Sequence, residues 1–215
     1  MIKAVLWDLG GVVTTSPFEA FAVFEKKNGL PPNFIRTVNA TNPDGNAWAR
    51  LERSEITLEE FDLAFERESG GLGHPVRGTA VLELLWGEIR PKMVDALRRC
   101  AACFKTACLT NNINVGGMPE GASSPQRTRA LHEIMDLFDV VIESSKMGVR
   151  KPDARFYQMA CEMLNIMPEE AVFLDDLGVN LKPARAMGMH TIKVTDPDRA
   201  LKELQDMLGI PLIDE

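Results

Sequence analysis

The sequence predicts an α/β fold, a doubly wound, Rossmann-like parallel sheet with a small helical cap inserted after the first strand. Short continuous apolar runs, each ending at a polar residue, are typical of strands that a parallel sheet buries on both faces. Helical patterns separate these runs from residue 91 onward, and such alternation is typical of doubly wound sheets. The predicted strands are Lys3–Trp7, Phe104–Leu109, Val140–Ile142, Ala171–Leu174 and Thr191–Val194.

The stretch between the first two strands breaks this alternation. It contains helical patterns at Phe18–Lys27 and Thr57–Glu68 and no convincing strand. Thr57 and Glu60 have the spacing of a capping box, in which each side chain bonds the backbone N–H of the other. An insertion after the first strand lies above the strand ends, where such folds bind ligands. The predicted division is an α/β core at residues 1–15 and 87–215 and a helical cap at residues 16–86.

Turn and cap residues mark element ends in the second half of the chain. Asp153 predicts the start of one helix, and the pair Asp196-Pro197 predicts the start of the last helix. Gly188 predicts a helix stop before the final strand. Residues 112–126 are rich in Gly, Pro and Ser, which predicts a long loop at the same sheet edge as the strand ends.

The composition excludes several classes of function. The 215 residues carry 24 lysines and arginines against 31 aspartates and glutamates, a formal net charge of −7. This acidic balance disfavours binding to nucleic acid or to an anionic membrane surface. No apolar run approaches the ~20 residues of a membrane span, and the first residues lack a signal-peptide pattern. We expect a cytoplasmic protein with buried, reduced thiols at Cys100 and Cys103, and the oligomeric state stays open.

Polar side chains stand at the carboxyl ends of the predicted strands. Because a parallel sheet gathers these ends along one edge, we expect Asp8, Asp175 and Asp176 to lie close together. Three carboxylates repel one another unless a cation joins them, and oxygen ligands without His or Cys favour Mg²⁺. With Mg²⁺ and Lys151 in place, the formal charge of the site is zero. Such a site can accept an anionic phosphate.

Each of these groups fits a step of phosphoryl transfer. Asp8 is the predicted nucleophile, which attacks phosphorus and carries an aspartyl-phosphate that water then hydrolyses. The Thr110 hydroxyl, the Asn111 amide and the Lys151 ammonium are predicted to hold the phosphate oxygens. Lys146 is the competing lysine. Lys151 is preferred because it directly precedes Pro-Asp at a helix start, where anions are favoured.

Four short segments carry these residues, namely WDLGGVV (Trp7–Val13), LTNN (Leu109–Asn112), VRKPD (Val149–Asp153) and FLDD (Phe173–Asp176). In this order they resemble the four motifs of the haloacid dehalogenase-like hydrolase superfamily, and the match covers nearly the whole chain. The sequence resembles in particular the phosphatase-type branch found as the N-terminal domain of soluble epoxide hydrolases. Further similar stretches are Ser54–Leu58, Asn180–Arg185 and Ala200–Leu204.

The resemblance implies a Mg²⁺-dependent phosphatase that hydrolyses a small phosphorylated molecule, a phosphate monoester. It implies that Asp8 is both nucleophile and metal ligand and that Gly10 offers its backbone carbonyl to the metal. Asp176 matches the principal acidic ligand, and Asp175 is an additional ligand or lies just behind the metal. Asn180 either orients the metal site or serves only to start a helix.

Gly10 departs from the pattern of the family. Its phosphatases usually have a second Asp at this position, which protonates the leaving alcohol and activates water. Glycine supplies no proton, and general acid–base help is worth about 10²–10⁴-fold, so we expect slow turnover. Two alternatives stay open: a dehalogenase- or phosphonatase-type hydrolase of the same superfamily, and a weakly active relative that acts as a binding protein.

Overall fold

A five-stranded, fully parallel sheet forms the centre of the molecule, in the order β3-β2-β1-β4-β5. The computed structural model describes residues 1–85, 87–112 and 125–213. The strands are β1 Ala4–Trp7, β2 Lys105–Thr110, β3 Val140–Glu143, β4 Ala171–Asp175 and β5 His190–Lys193. Helices cover both faces of this sheet, so the predicted doubly wound α/β fold is confirmed.

The described part of the chain contains eleven α-helices. They are α1 Pro17–Lys27, α2 Phe34–Ala40, α3 Ala47–Glu52, α4 Leu58–Gly71, α5 Gly78–Leu82, α6 Pro91–Ala101, α7 Pro125–Met135, α8 Ser144–Met147, α9 Ala154–Leu164, α10 Gly178–Ala186 and α11 Pro197–Leu208. Short 3₁₀ turns lie at Glu83–Leu85 and Pro168–Glu170. Residues 113–124 of the predicted loop lie outside the described residues, and its end, from Pro125, belongs to α7.

The central strand shows why the first apolar run is continuous. All four residues of β1 are fully buried, and their side chains alternate between two apolar clusters. Val5 and Trp7 pack against α6 and α11, whereas Ala4 and Leu6 pack against α9 and α10. A strand covered on both faces needs apolar side chains at every position, which removes the polar alternation of a half-exposed strand.

The caps predicted from the sequence hold the ends of the core helices. Asp153 accepts a hydrogen bond from the backbone N–H of Arg155 at 2.8 Å, at the start of α9. Asp196 accepts one from the N–H of Arg199 at 2.9 Å, with Pro197 as the first residue of α11. Gly188 follows α10 with a φ of +101°, a conformation that glycine adopts without strain. These three predictions are confirmed.

The helical insertion, defined as residues 16–86, has an apolar cluster of its own. Phe61 and Phe65 of α4 are fully buried there, and Trp48 of α3 meets both rings edge-on. The capping box of α4 is present, with Thr57 and Glu60 bonding each other's backbone. The sequence predicted only two of the five helices in the described part. Helices α2, α3 and α5 are seven residues or shorter, too short to show a helical period.

The two chain crossings between core and insertion lie side by side. Thr15 and Glu88 exchange two hydrogen bonds, at 2.7 and 2.8 Å, and Thr14 pairs with Ile89 in an antiparallel bridge. A Cβ atom at Gly87 would lie 2.2 Å from the carbonyl oxygen of Thr15, so only glycine allows this approach. The division of the chain at residues 16 and 86 remains a prediction, and residue 86 itself lies outside the described residues.

The thiol prediction was half wrong. Cys100 lies on the inner face of α6 and is buried, but Cys103 is exposed because α6 ends at Ala101 and the chain turns outward. Both thiols are free. Within the described residues, no helix has the length and apolar character needed to cross a membrane.

Asp62 is expected to make the insertion sensitive to acid. A hydrogen bond from Arg77, with further bonds from Thr79, lowers the pKa of the buried Asp62 carboxyl from 3.8 to about 2. Its stabilising effect is therefore full above pH 4 and disappears as the pH falls toward 2. Because Arg77 is mostly exposed, we expect this effect to be about 1 kcal/mol.

Urea denaturation of the wild type and of Asp62→Asn between pH 5 and pH 2.5 measures this effect. The variant is expected to be less stable at pH 5 and to lose less stability on acidification. Glu59→Gln, on the exposed face of the same helix, is the control and should follow the wild type. Parallel curves for Asp62→Asn and the wild type would contradict the assignment.

Candidate active site

Asp8 is the first residue after β1 and is 7% exposed. Its backbone N–H donates to the carbonyl of Leu174 on β4 at 2.9 Å, which fixes it beside the end of that strand. Its Oδ1 accepts from the backbone N–H of Leu9 at 2.7 Å and lies 2.8 Å from Nζ of Lys151. The register of the sheet therefore positions this carboxylate at the edge where the sequence predicted it.

Asp175 and Asp176 lie at the end of β4, next to Asp8. Trp7 pairs with Leu174 in the sheet, so the residues that follow β1 and β4 reach the same level. One carboxylate oxygen from each of Asp8, Asp175 and Asp176 lies within 4.8 Å of the other two. The structure thus brings together the three acidic residues predicted from the sequence.

Asp175 is fully buried and held from three directions. Its Oδ1 accepts from the backbone N–H of Leu177 at 2.8 Å, and its Oδ2 accepts from Nζ of Lys151 at 2.8 Å. The side-chain amide of Asn180 lies 3.0 Å from both oxygens. Asn180 therefore holds the Asp175 carboxylate, and its predicted role in orienting a metal site stays a prediction. Asp175 has little freedom to move toward a ligand.

Asp176 is less enclosed and faces the entry to the helical insertion. Its Oδ2 accepts from the hydroxyl of Ser16 at 3.2 Å. The adjacent turn places Gly11, at φ +82°, so close that a Cβ there would lie 2.3 Å from the same oxygen. The positive φ of Gly11 favours glycine, and a side chain at this position would also have to displace the Asp176 carboxylate. Ser16 was missed at the level of sequence, because a serine before Pro17 is typical of a simple helix N-cap.

Lys151 is 1% exposed, and its ammonium group joins Asp8 to Asp175. The side chain of Asn111 holds its backbone from both sides. Oδ1 of Asn111 accepts from the Lys151 N–H at 2.8 Å, and Nδ2 donates to the Lys151 carbonyl at 3.0 Å. Lys146 instead pairs with Glu143 and is largely exposed. The preference for Lys151 over Lys146 agrees with this arrangement.

Burial, together with the neighbouring charges, shifts the pKa values in this cluster. Burial raises the pKa of Asp8, Lys151 opposes that rise, and the neighbouring Asp175 and Asp176 add to it. Burial also raises the pKa of Asp176, and repulsion from Asp175 adds to that rise. Burial alone would lower the pKa of Lys151, but Asp175 and Asp8 outweigh it and raise that pKa above its usual value. The cluster stabilises positive charge and disfavours a third full negative charge.

Thr110 ends β2 at the same edge and is 6% exposed. Two residues further along, Asn112 contacts the start of α8. Its backbone N–H donates to the Ser144 hydroxyl at 3.0 Å, and its Nδ2 donates to the Glu143 carboxylate at 2.7 Å. The side-chain amide of Asn111 already bonds the Lys151 backbone. The predicted contact between Asn111 and phosphate therefore stays a prediction, and it is now assigned to the backbone N–H of Asn111. All six polar residues predicted from the sequence therefore lie along one sheet edge.

The sequence profile of the haloacid dehalogenase-like hydrolases matches residues 2–188. The chain belongs to this hydrolase family. The predicted family resemblance is therefore confirmed, and the acidic cluster lies at the edge where the four family motifs meet. The structure also resembles, with a TM-score of 0.60 and 20% identity, a Bacteroides thetaiotaomicron enzyme of the family in complex with magnesium and inorganic phosphate. That match covers 90% of this chain and 94% of the other.

Some relatives of this chain are larger proteins, of which the chain matches only a part. It is 38% identical to acyl-CoA dehydrogenase family member 10 of Mus musculus and 31% identical to bifunctional epoxide hydrolase 2 of Sus scrofa. These matches cover 98% and 99% of this chain but only 19% and 40% of those proteins. This chain spans less than half of their length. Phosphatase MT3486 of Mycobacterium tuberculosis is 36% identical over 90% of this chain and 87% of its own.

Alanine substitutions at Gly10 and at Gly11 are expected to change the free energy of unfolding by different amounts. Gly11→Ala forces a methyl group into the Asp176 carboxylate at positive φ and is expected to lower the free energy of unfolding by about 2 kcal/mol or more. Gly10 has an ordinary φ of −73°, and a Cβ added to it would have no neighbouring atom within 4 Å. Gly10→Ala should therefore stay within about 0.5 kcal/mol of the wild type. Chemical denaturation measures both, and equal losses would contradict the geometry.

Proposed function

We propose that this hydrolase is a Mg²⁺-dependent phosphatase that cleaves a small organic phosphate monoester through an aspartyl-phosphate on Asp8. The observation that carries the proposal is the buried ammonium of Lys151, 2.8 Å from both Asp8 and Asp175, within a cluster of three carboxylates. The similarity to a mycobacterial phosphatase over 87% of its length supports the same reaction class. A cytoplasmic location and a small phosphorylated substrate remain predictions.

Asp8 is the proposed nucleophile. Its Oδ1 accepts from Leu9 and lies against Lys151, and we assign attack on phosphorus to Oδ2. As the Oδ2–P bond forms, the bond from phosphorus to the ester oxygen breaks, and the leaving group departs as an alkoxide or phenolate that keeps the bonding electron pair and takes any proton from solvent. Water then attacks the same phosphorus and loses a proton to solvent, the electron pair of the broken Oδ2–P bond returns to the Asp8 carboxylate, and inorganic phosphate leaves.

The acidic cluster fits a magnesium ion. Its donors are carboxylate oxygens with no sulfur or imidazole in the group, a set that suits Mg²⁺. Asp8, Asp176 and the carbonyl of Gly10 are the proposed ligands, and Asp175 is proposed to orient the site because it is already bound to Lys151 and Asn180. When bound, the ion would reduce the repulsion between the carboxylates and an incoming phosphate.

Lys151, Thr110 and Asn111 are the proposed phosphate-binding residues. The Lys151 ammonium stays protonated in this site and compensates negative charge on the transferring group. The Thr110 hydroxyl and the backbone of Asn111 are proposed to bind the remaining oxygens. Because Asn111 also holds the Lys151 backbone, one residue links two parts of the same phosphate site.

Activity is expected to require both Asp8 and the metal. Asp8→Asn keeps the size of the side chain but removes the nucleophile, so release of inorganic phosphate from p-nitrophenyl phosphate should fall by at least about 10³-fold. Chelation of Mg²⁺ should have a comparable effect that added Mg²⁺ reverses. Asp95→Asn, on the exposed part of α6, is the control and should keep wild-type activity. Full phosphatase activity of Asp8→Asn would refute the proposal.

The absence of an acid at Gly10 predicts a strong dependence on the leaving group. Aryl phosphates, whose leaving groups need no proton, should react much faster than alkyl phosphates. The open space beside Gly10 can accept a side chain, so Gly10→Asp should raise turnover of alkyl phosphates, by up to about 10²–10⁴-fold. Gly10→Asn has the same shape without the proton and should give no such gain. Equal rates on aryl and alkyl esters in the wild type would show that another acid acts.

Glycine at position 10 is also compatible with a dehalogenase- or phosphonatase-type reaction and with a binding protein, and direct assays distinguish these alternatives. Chloride release from a haloacid without metal would support the dehalogenase alternative, and binding without turnover would support the binding protein. A phosphonatase needs a lysine in the insertion, which has only Lys26 and Lys27. Both are exposed at the end of α1, which disfavours that reaction.

A further inference from the structure

An ion pair between a buried glutamate and a partly exposed arginine joins the helical insertion to the core segment that carries Lys151. Glu52, the last residue of α3, has a side chain only 8% exposed. Its Oε2 lies 2.7 Å from Nε of Arg150, an ion pair without the alignment of a hydrogen bond, and its Oε1 accepts from Nε1 of Trp48 at 2.9 Å. Neither Glu52 nor Arg150 was singled out from the sequence, because isolated charged residues usually lie at the surface.

Two further contacts join the same parts of the molecule. Nη1 of Arg150 lies 3.4 Å from the carbonyl of Pro43, and the Ser54 hydroxyl donates to the carbonyl of Ser145 at 2.9 Å. The insertion therefore meets the core along the segment from residue 145 to residue 150. The next residue along the chain is Lys151.

Stability alone explains this ion pair poorly. Two charges lose hydration when they are buried, so such pairs contribute little to folding compared with apolar contacts. Burial raises the pKa of Glu52, and Arg150 is the largest opposing influence. The ion pair instead fixes orientation, because Arg150 can move only a short distance before the buried Glu52 carboxylate is left unpaired.

We propose that Glu52 is a positioning residue, which acts through Arg150 to seat the insertion on the core and to hold the Lys151 segment in place. Asn111 fixes the Lys151 backbone from the core side, and the Glu52–Arg150 pair fixes the preceding residue from the insertion side. The Lys151 ammonium is thereby kept within 2.8 Å of both Asp8 and Asp175. The catalytic consequence rests on the proposed phosphatase function, whereas the seating contact does not.

The kinetic test uses the isosteric variant Glu52→Gln with p-nitrophenyl phosphate and Mg²⁺. Displacement of Lys151 weakens its compensation of transition-state charge, so kcat should fall about 10- to 100-fold while KM changes much less. Glu55→Gln is the matched control, since Glu55 lies on the exposed surface of the insertion and pairs with Arg53. The control should keep wild-type kcat and KM. An unchanged kcat for Glu52→Gln would overturn the proposal.

A double-mutant cycle tests whether Glu52 acts through Arg150. If it does, Arg150→Gln should lower kcat to a similar extent, and the double variant should be little worse than either single variant. Fully additive losses would show that the two residues act independently and would overturn the proposal. Arg150→Gln also serves as the test variant if Glu52→Gln does not fold.

Hydrogen exchange provides a readout that needs no turnover. The Lys151 amide donates to Oδ1 of Asn111, so its exchange rate reports how firmly this segment is held. Exchange at Lys151 should accelerate in Glu52→Gln and stay at the wild-type rate in Glu55→Gln. An unaltered rate in Glu52→Gln would overturn the proposal. If the wild type has no phosphatase activity, the proposed function fails, but this measurement still decides whether Glu52 holds the segment.

Discussion

The arrangement of the candidate active site depends on the ion pairs that the buried Lys151 ammonium forms with Asp8 and Asp175. Burying an unpaired ammonium or three unpaired carboxylates would each be costly, and the contacts of Lys151 with Asp8 and Asp175 reduce both costs. The surrounding structure serves this contact. The pairing of β1 with β4 places Asp8 and Asp175 side by side at the same sheet edge. Asn180 bonds the Asp175 carboxylate, and Asn111 holds the Lys151 backbone.

The arrangement also reconciles the acidic composition of the chain with the proposed anionic substrate. The net charge of −7 describes the whole surface, whereas the site combines its carboxylates with a lysine and a place suited to a cation. Among the described residues, the helical insertion contacts this site through Ser16, which donates to Asp176, and through Glu52, which forms an ion pair with the residue before Lys151. The position of the insertion is therefore coupled to both the proposed metal-binding side and the proposed phosphate-binding side.

Much of the fold could be predicted because its signals are local. The buried strands appear as continuous apolar runs, and Asp153 and Asp196 mark helix starts by hydrogen bonds to residues two or three positions away. The short helices α2 and α3 could not be predicted, since their position depends on packing within the insertion. Ser16 and Glu52 were missed for a related reason: their partners lie about 160 and 100 residues away along the chain. The role of the Asn111 side chain likewise becomes visible only when β2 and the Lys151 segment meet.

Phosphorylation of Asp8 during turnover can be detected by rapid acid quenching followed by peptide mass spectrometry. Wild-type protein mixed with excess p-nitrophenyl phosphate and Mg²⁺ is expected to carry one phosphoryl group on the peptide that contains Asp8, and borohydride should convert that residue to homoserine. The modification should vanish once substrate is exhausted. Release of phosphate with no phosphoryl group on Asp8 at any quench time, and with no reductive conversion of that residue, would contradict the account.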